Sequence, residues 1–125
     1  MRLLLDTHVL LWALDDPSSL RAEARAAIEH PRNPVLVSTA STCEIGIKIA
    51  VGKLRVPKDL VAQLRDKRFT VLPIAVEHGL QLGELPLHHR DPFDRILVAQ
   101  AQLEGLTIVT RDPRIARYDV PTLSA

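Results

Sequence analysis

Arg2-Leu3-Leu4-Leu5-Asp6-Thr7-His8-Val9-Leu10-Leu11-Trp12-Ala13-Leu14 joins a short apolar run to a stretch with helix-compatible spacing, with an acid at the junction. The spacing predicts a strand over Arg2–Leu5, a turn at Asp6, and a helix from Thr7 that Asp15-Asp16-Pro17 stops. The same layout recurs along the chain. Val35–Val37 reads as a second buried strand before a helix over Thr39–Val51, closed by Gly52. Phe69–Leu72 is a third strand, with a helical stretch over Val76–Gly83 behind Pro73. Leu106–Val109 is a fourth, followed by Thr110-Arg111-Asp112 and a short helix, and Asp119–Leu123 is a candidate edge strand. Short apolar strands alternating with helices call for a three-layer α/β/α sandwich around a mainly parallel sheet of four to five strands.

The remaining helices are read from their ends. Ser18 or Ser19 is a candidate cap for a helix running through about Glu29, and Pro57 precedes one over about Lys58–Asp66. Asp91-Pro92 opens the clearest helix, since aspartate caps and proline suits the first helical position, and Gly105 ends it. Glu84–Arg90 carries no regular pattern. With no repeat, low-complexity tract or linker dividing it, the chain of 125 residues, 46% hydrophobic and 25% charged, is expected to form a single domain over 1–125.

Composition also bounds the function. The longest apolar stretches fall short of the ~20 residues that span a bilayer, and Met1–Asp6 has neither the apolar segment nor the cleavage site of a signal peptide. A cytoplasmic protein with no membrane role is expected. Cys43 is the single cysteine, which excludes an internal disulfide and argues against a thiolate metal site. Net charge is only +1, so the overall balance does not announce a nucleic-acid binder.

Four acids stand beside the ends of apolar runs: Asp6, Glu44, Asp94 and Asp112. In a parallel sheet, ligands bind beyond the carboxyl ends of the strands. Asp6 and Asp112 follow strands directly, and Glu44 and Asp94 sit in early turns of helices that can point to the same edge. Gathered there, four carboxylates require a cation, and hard divalent ions such as Mg²⁺ or Mn²⁺ take oxygen ligands. Lys48, Lys53, Arg55, Arg90, Arg95, Arg111 and Arg114 lie near these acids in sequence, so an acidic pit would have basic surroundings suited to a phosphate backbone.

Taken singly, each acid has a structural reading. Asp6 and Asp112 can cap helices, Asp94 sits where a helix dipole favours negative charge, and Glu44 completes a capping box with Ser41 or pairs with Lys48 at i,i+4. The joint pattern goes further. Leu4-Leu5-Asp6-Thr7-His8, Ser41-x-x-Glu44-Ile45-x-x-Lys48 with Gly52-Lys53-Leu54, Asp91-Pro92-Phe93-Asp94-Arg95 and Thr110-Arg111-Asp112, in that order over nearly the whole chain, resemble a PIN domain, specifically a VapC-type toxin ribonuclease.

The resemblance implies an Mg²⁺- or Mn²⁺-dependent endoribonuclease that hydrolyses RNA with a metal-activated water, leaving a 5′-phosphate and a 3′-hydroxyl. It also implies a homodimer, and inhibition by a cognate VapB-type antitoxin that sets a basic side chain among the acids. Position by position, Asp6, Glu44, Asp94 and Asp112 match the family's metal-binding acids, and Thr110 matches a hydroxyl that supports them. Asp91 falls in the same signature, with capping its expected role. Cys43 departs from the pattern, since relatives often carry an aromatic residue there, so altered packing behind Glu44 is expected. Lys48 and Arg95 are candidates for electrostatic support, Trp12 is read as core, and His8, His88 and His89 are assigned to surface or helix packing.

Two other acid-bearing α/β classes fail on named positions. A receiver module wants an acceptor aspartate after the third strand, where Pro73-Ile74-Ala75 stands, and an aspartyl-phosphate phosphatase wants an acid two residues after Asp6, where His8 stands. A silent PIN-like binding module is the remaining alternative. The sequence does not specify which RNA is cut, because target choice rests on surface shape and loop contacts.

Overall fold

The structure, a computed structural model, describes residues 1–56 and 59–125. Among these residues five strands, β1 (Leu3–Leu5), β2 (Val35–Ser38), β3 (Thr70–Leu72), β4 (Thr107–Thr110) and β5 (Thr122–Ser124), form one sheet in the order β3-β2-β1-β4-β5. Every pairing is parallel, with Leu5 opposite both Val37 and Val109. Among the described residues, six helices connect or follow the strands: α1 (Thr7–Asp15), α2 (Ala22–Glu29), α3 (Thr39–Ala50), α4 (Leu60–Asp66), α5 (Val76–Gln81) and α6 (Pro92–Glu104).

Period-2 alternation in the strands divides the interior into two cores. Leu3, Leu5, Val35, Val37 and Val109 face one side, against Val9 and Leu10 of α1, Ala24 and Ile28 of α2, Ile45 of α3 and Leu64 of α4. Leu4, Leu36 and Ile108 face the other, against Leu97, Val98 and Ala101 of α6 with Ile115 and Tyr118. Leu3, Leu4 and Leu5 are fully buried, as a central strand covered on both faces requires. The expected α/β/α sandwich is therefore present. After β3 the chain crosses back to lay β4 on the other side of β1, so the strand order reverses at β1. The crevice beyond the carboxyl ends of β1 and β4 is where such a fold places a ligand.

Several local expectations are corrected. Ser18 and Ser19 do not cap a helix: both hydroxyls donate to the Asp16 carboxylate within a 3₁₀ turn, Pro17–Ser19, and α2 starts after Arg21. Ser41 forms no capping box, because α3 begins earlier and Ser38 caps it by accepting from the Ala40 N–H at 3.0 Å. The Ser41 hydroxyl is buried in the helix with no partner among the described residues. The expected start of the fourth helix falls on Pro57 and Lys58, outside the described residues, and α4 is described from Leu60. The stretch after Pro73 is helical only to Gln81 and then tightens into a 3₁₀ turn. Gly52 and Gly105 follow helix ends at φ of 74° and 67°, a conformation that penalises a β-carbon.

Candidate active site

Asp6, Glu44, Asp94 and Asp112 all line one cleft of about 560 Å³. Three backbone devices bring them there. Asp6 ends β1 and caps α1, its Oδ1 accepting from the Val9 N–H at 2.9 Å. Asp91 caps α6, its Oδ1 accepting from the Phe93 and Asp94 N–H groups at 2.8 and 3.3 Å, and this sets Asp94 in the first helical turn. Asp112, two residues beyond β4, accepts from the Arg114 N–H at 2.8 Å.

Thr110 ties the two strand-end acids together. Its hydroxyl donates to Asp6 Oδ2 at 2.5 Å and accepts from the Asp112 N–H at 3.0 Å. Glu44, buried on α3, accepts from the Thr7 hydroxyl at 2.7 Å through Oε1 and from Lys48 Nζ at 2.6 Å through Oε2. The i,i+4 pairing of Glu44 with Lys48 is thus present. Lys48 is held above the usual lysine range, chiefly by the hydrogen bond to Glu44.

The acids are not alike electrostatically. Burial raises Asp6 above the ordinary carboxylate range despite the Thr110 and Val9 hydrogen bonds that oppose it. Burial, together with the charges of Asp91, Glu44, Asp6 and Asp112, pushes Asp94 up to about 7. For Asp112 burial also acts upward, but hydrogen bonds from Arg114 and His89 outweigh it and leave the group below its ordinary value. The Arg114 guanidinium reaches both Asp112 oxygens, Nε to Oδ1 and Nη2 to Oδ2, each at 3.1 Å.

Of the cations near the acids in sequence, Lys48, Arg90, Arg111 and Arg114 line the cleft. Arg55 belongs instead to a neighbouring groove with Leu54 and Val56. Arg95 departs from its expected role. Although adjacent to Asp94, its guanidinium turns away to the Pro86 and Leu82 carbonyls at 3.0 and 3.1 Å and to the Tyr118 hydroxyl at 3.1 Å. It fixes the loop before α6 rather than supporting the acids. Trp12 is corrected in part: it packs on one core but is only half-buried, lines the cleft, and carries the Arg111 guanidinium 4.3 Å above its ring. Cys43, where the resemblance leads one to expect an aromatic residue, is exposed on α3 beside the buried Glu44.

His89 is the residue that sequence reasoning missed. It is buried, and its Nε2 lies 2.9 Å from Asp94 Oδ2 and 2.9 Å from Asp112 Oδ2. His8 and His88, by contrast, are exposed, beside Trp12 and against the edge of Tyr118 respectively. No local signal separates His88 from His89. The Tyr118 hydroxyl accepts from the backbone N–H groups of both, at 3.1 and 3.0 Å, and fixes the loop that carries them.

The PIN domain family matches residues 3–121. This chain belongs to the PIN domain family. A relative, ribonuclease VapC22 of Mycobacterium tuberculosis, is 26% identical over 121 residues, covering 94% of this chain and 92% of the relative. VapBC2 from Rickettsia felis, solved bound to a promoter DNA fragment, shares the fold with a TM-score of 0.73 at 15% identity over 99% of this chain and 98% of that one. DNA-bound VapBC from Salmonella typhimurium does so with a TM-score of 0.70 at 16% identity, over 99% and 98%. The PIN fold thus places all four sequence-predicted acids at its strand-reversal crevice, with the hydroxyls of Thr7 and Thr110 beneath them.

The donor set fits a hard divalent cation. Its four acids offer carboxylate oxygens, oxygens of Asp94 and Asp112 lie within 4.8 Å of each other and of a His89 ring nitrogen, and the charges of Asp91, Glu44, Asp6 and Asp112 all act to raise Asp94. Among the described residues, no helix is long and apolar enough to cross a membrane.

Proposed function

We propose that this PIN domain, occupying 1–125, is a VapC-type endoribonuclease that hydrolyses RNA phosphodiester bonds with the aid of Mg²⁺, for which Mn²⁺ substitutes. The observation that carries this reading is the convergence of Asp6, Glu44, Asp94 and Asp112 on one cleft, where Asp94 is raised by the charges of four other carboxylates. Asp6, Asp94 and Asp112, with Glu44 directly or through water, would hold the cation. When bound, the cation supplies Lewis acidity toward the scissile phosphate and lowers the pKa of an attacking water.

The chain's own residues do the rest. Thr110 and Thr7 orient carboxylates through hydroxyl bonds, so those acids need not reorganise when a cation arrives. Lys48, Arg90, Arg111 and Arg114 ring the cleft and attract the RNA backbone, whose affinity is dominated by phosphate charge. No serine or cysteine nucleophile is required.

The named relatives support a partner as well. VapBC assemblies share this fold, and a cytoplasmic nuclease needs a block on its site. A cognate VapB-type antitoxin that offers a basic side chain to the clustered acids is the partner proposed, acting on a homodimer of this chain. Antitoxin affinity measured across a Mg²⁺ series is expected to fall as the metal rises; complete independence would remove this competition.

The decisive experiment is cleavage of total cellular RNA by purified, antitoxin-free protein. Discrete fragments are expected with Mg²⁺ or Mn²⁺, and none with EDTA. Asp6→Asn and Asp94→Asn are each expected to cut at least about 100-fold more slowly, because ligand loss exceeds the usual effect of an outer-shell change. Folded, metal-loaded protein that cuts no RNA would favour a silent binding module.

A further inference from the structure

We propose that His89 is a positioning residue for the metal-binding carboxylates: its imidazole acts as a fixed N–H donor that holds Asp112 and stands against Asp94, and is not itself a metal ligand. This rests on the metal-site reading above.

The ring's two nitrogens are assigned by what they meet. Nδ1 accepts from the Asp91 backbone N–H at 3.1 Å. A ring protonated at Nδ1 would set one N–H against another, so in this arrangement the ring proton resides on Nε2. Nε2 is in hydrogen-bonding geometry with Asp112 Oδ2 at 2.9 Å, and Asp94 Oδ2 stands 2.9 Å from the same nitrogen. A histidine that ligates a metal has the opposite arrangement: a bare nitrogen toward the ion and its other N–H donated outward. Here the nitrogen facing the acids carries the proton. The ring therefore serves as a strut between an acid that ends a strand excursion and one carried on a helix.

The strut is braced from outside the site. Three N–H donors converge on the Tyr118 hydroxyl, from the His88 and His89 backbone and from Arg95, and Arg95 also ties down the Pro86 and Leu82 carbonyls. Tyr118 and His89 are both buried, so the loop is held on a dry floor where hydrogen-bond geometry is well retained. The Asp91 N–H, which fixes the tautomer, belongs to the residue that caps α6 and so places Asp94. The loop, the cap and the two acids form one linked unit.

Replacement tests this with a readout independent of RNA cleavage: binding of Mn²⁺, followed by loss of the free-ion electron paramagnetic resonance signal. His89→Phe keeps a ring without the donor, and His89→Gln keeps an N–H at similar reach. Outer-shell changes typically weaken metal affinity about 10- to 100-fold, and that loss is expected for His89→Phe, with His89→Gln within about threefold of wild type. Tyr118→Phe, which removes the acceptor shared by the His88, His89 and Arg95 donors and does not line the cleft, should fall between them, and covers the case in which His89→Phe fails to fold. A residue that only supports packing would lower melting temperature in these variants without separating their Mn²⁺ affinities. Wild-type affinity in His89→Phe or, should it not fold, in Tyr118→Phe overturns the proposal. Equal losses in His89→Gln and His89→Phe overturn it in favour of direct ligation. If Asp94→Asn binds Mn²⁺ as wild type does, the metal-site reading itself fails, an outcome distinct from failure at His89 alone.

Discussion

Asp94 and Asp112 share one imidazole nitrogen, each 2.9 Å from it, with side chains of similar exposure, 17% and 20%. Yet one is pushed up to about 7 and the other lies below its ordinary value. Burial acts upward on both. What separates them is Arg114, whose backbone N–H and guanidinium bond Asp112, together with the His89 hydrogen bond; Asp94 faces four other carboxylates, and Lys48 and Arg114 act on it only through space. The site is thus divided into a side whose charge the fold already balances and a side that a cation must balance. The second side is where metal is expected to have its largest effect on stability.

The sharpest way to break this comparison is Asp94→Asn in metal-free protein. A carboxyl raised from 3.8 to about 7 binds its proton more tightly in the folded state than in the unfolded one. The penalty for ionising it is therefore absent below the unfolded value, grows as pH rises, and is complete above about 7. At about 1.36 kcal/mol per unit, and allowing for partial exposure, removing it stabilises the metal-free protein by roughly 2–4 kcal/mol at alkaline pH. Urea melts should show that gain near pH 8, its disappearance near pH 4, and its reversal when Mg²⁺ is added to wild type. A destabilised Asp94→Asn at pH 8 without metal would mean that the charge is already compensated.

How much of this was legible in the sequence depends on the range of the interactions. Leu3-Leu4-Leu5-Asp6 and Asp91-Pro92-Phe93-Asp94 announce themselves because the strand, the caps and the proline act over a few residues, so the four acids and the sheet class could be read directly. Helix starts were less secure. Ser18, Ser19 and Ser41 are all good cap residues, but a hydroxyl bonds whichever group is nearest, and Asp16 captured the first two while Ser38 displaced the third. His89 and Arg95 exchanged their expected roles for a non-local reason. Both bond the Tyr118 hydroxyl, His89 from the loop before α6 and Arg95 from its first turn, and Tyr118 lies beyond β4, far from them in sequence. Sequence proximity favoured Arg95, while folding brought His89 to the acids.

Within the balanced side, Thr110→Val asks whether the floor of the site is a hydrogen-bonded unit. The substitution keeps shape but removes the donor to Asp6 and the acceptor for the Asp112 N–H. Hydrogen bonds to charged groups contribute about 1.5–3 kcal/mol, and a buried carboxylate that loses one bears the desolvation cost. A loss of that size is expected at pH 8, smaller at low pH where Asp6 is protonated. Crystallography or amide exchange at Asp112 should show the strand-end turn loosened. An unchanged melt at pH 8 would mean that Asp6 finds another donor and that the two strand-end acids are not coupled through this hydroxyl.

Arg114→Ala has the smallest expected effect on stability, since the guanidinium is exposed and such pairs contribute little, but it tests the origin of the asymmetry directly. Asp112 is lowered in the folded state, so its ionised form stabilises the protein above the unfolded carboxylate value, and that contribution is lost as pH falls through the folded value. Without Arg114 the titration midpoint of Asp112, followed by its carboxyl ¹³C shift, should rise toward that of Asp94, and the acid limb of the stability curve should begin at higher pH. The same variant removes the guanidinium from both Asp112 oxygens, leaving the backbone N–H on Oδ1 and His89 on Oδ2, so Mn²⁺ should bind at least as tightly as to wild type. If Asp112 keeps its low midpoint after Arg114 is removed, the difference between the two acids arises from the strand end and His89, and the imidazole favours one of its neighbours over the other.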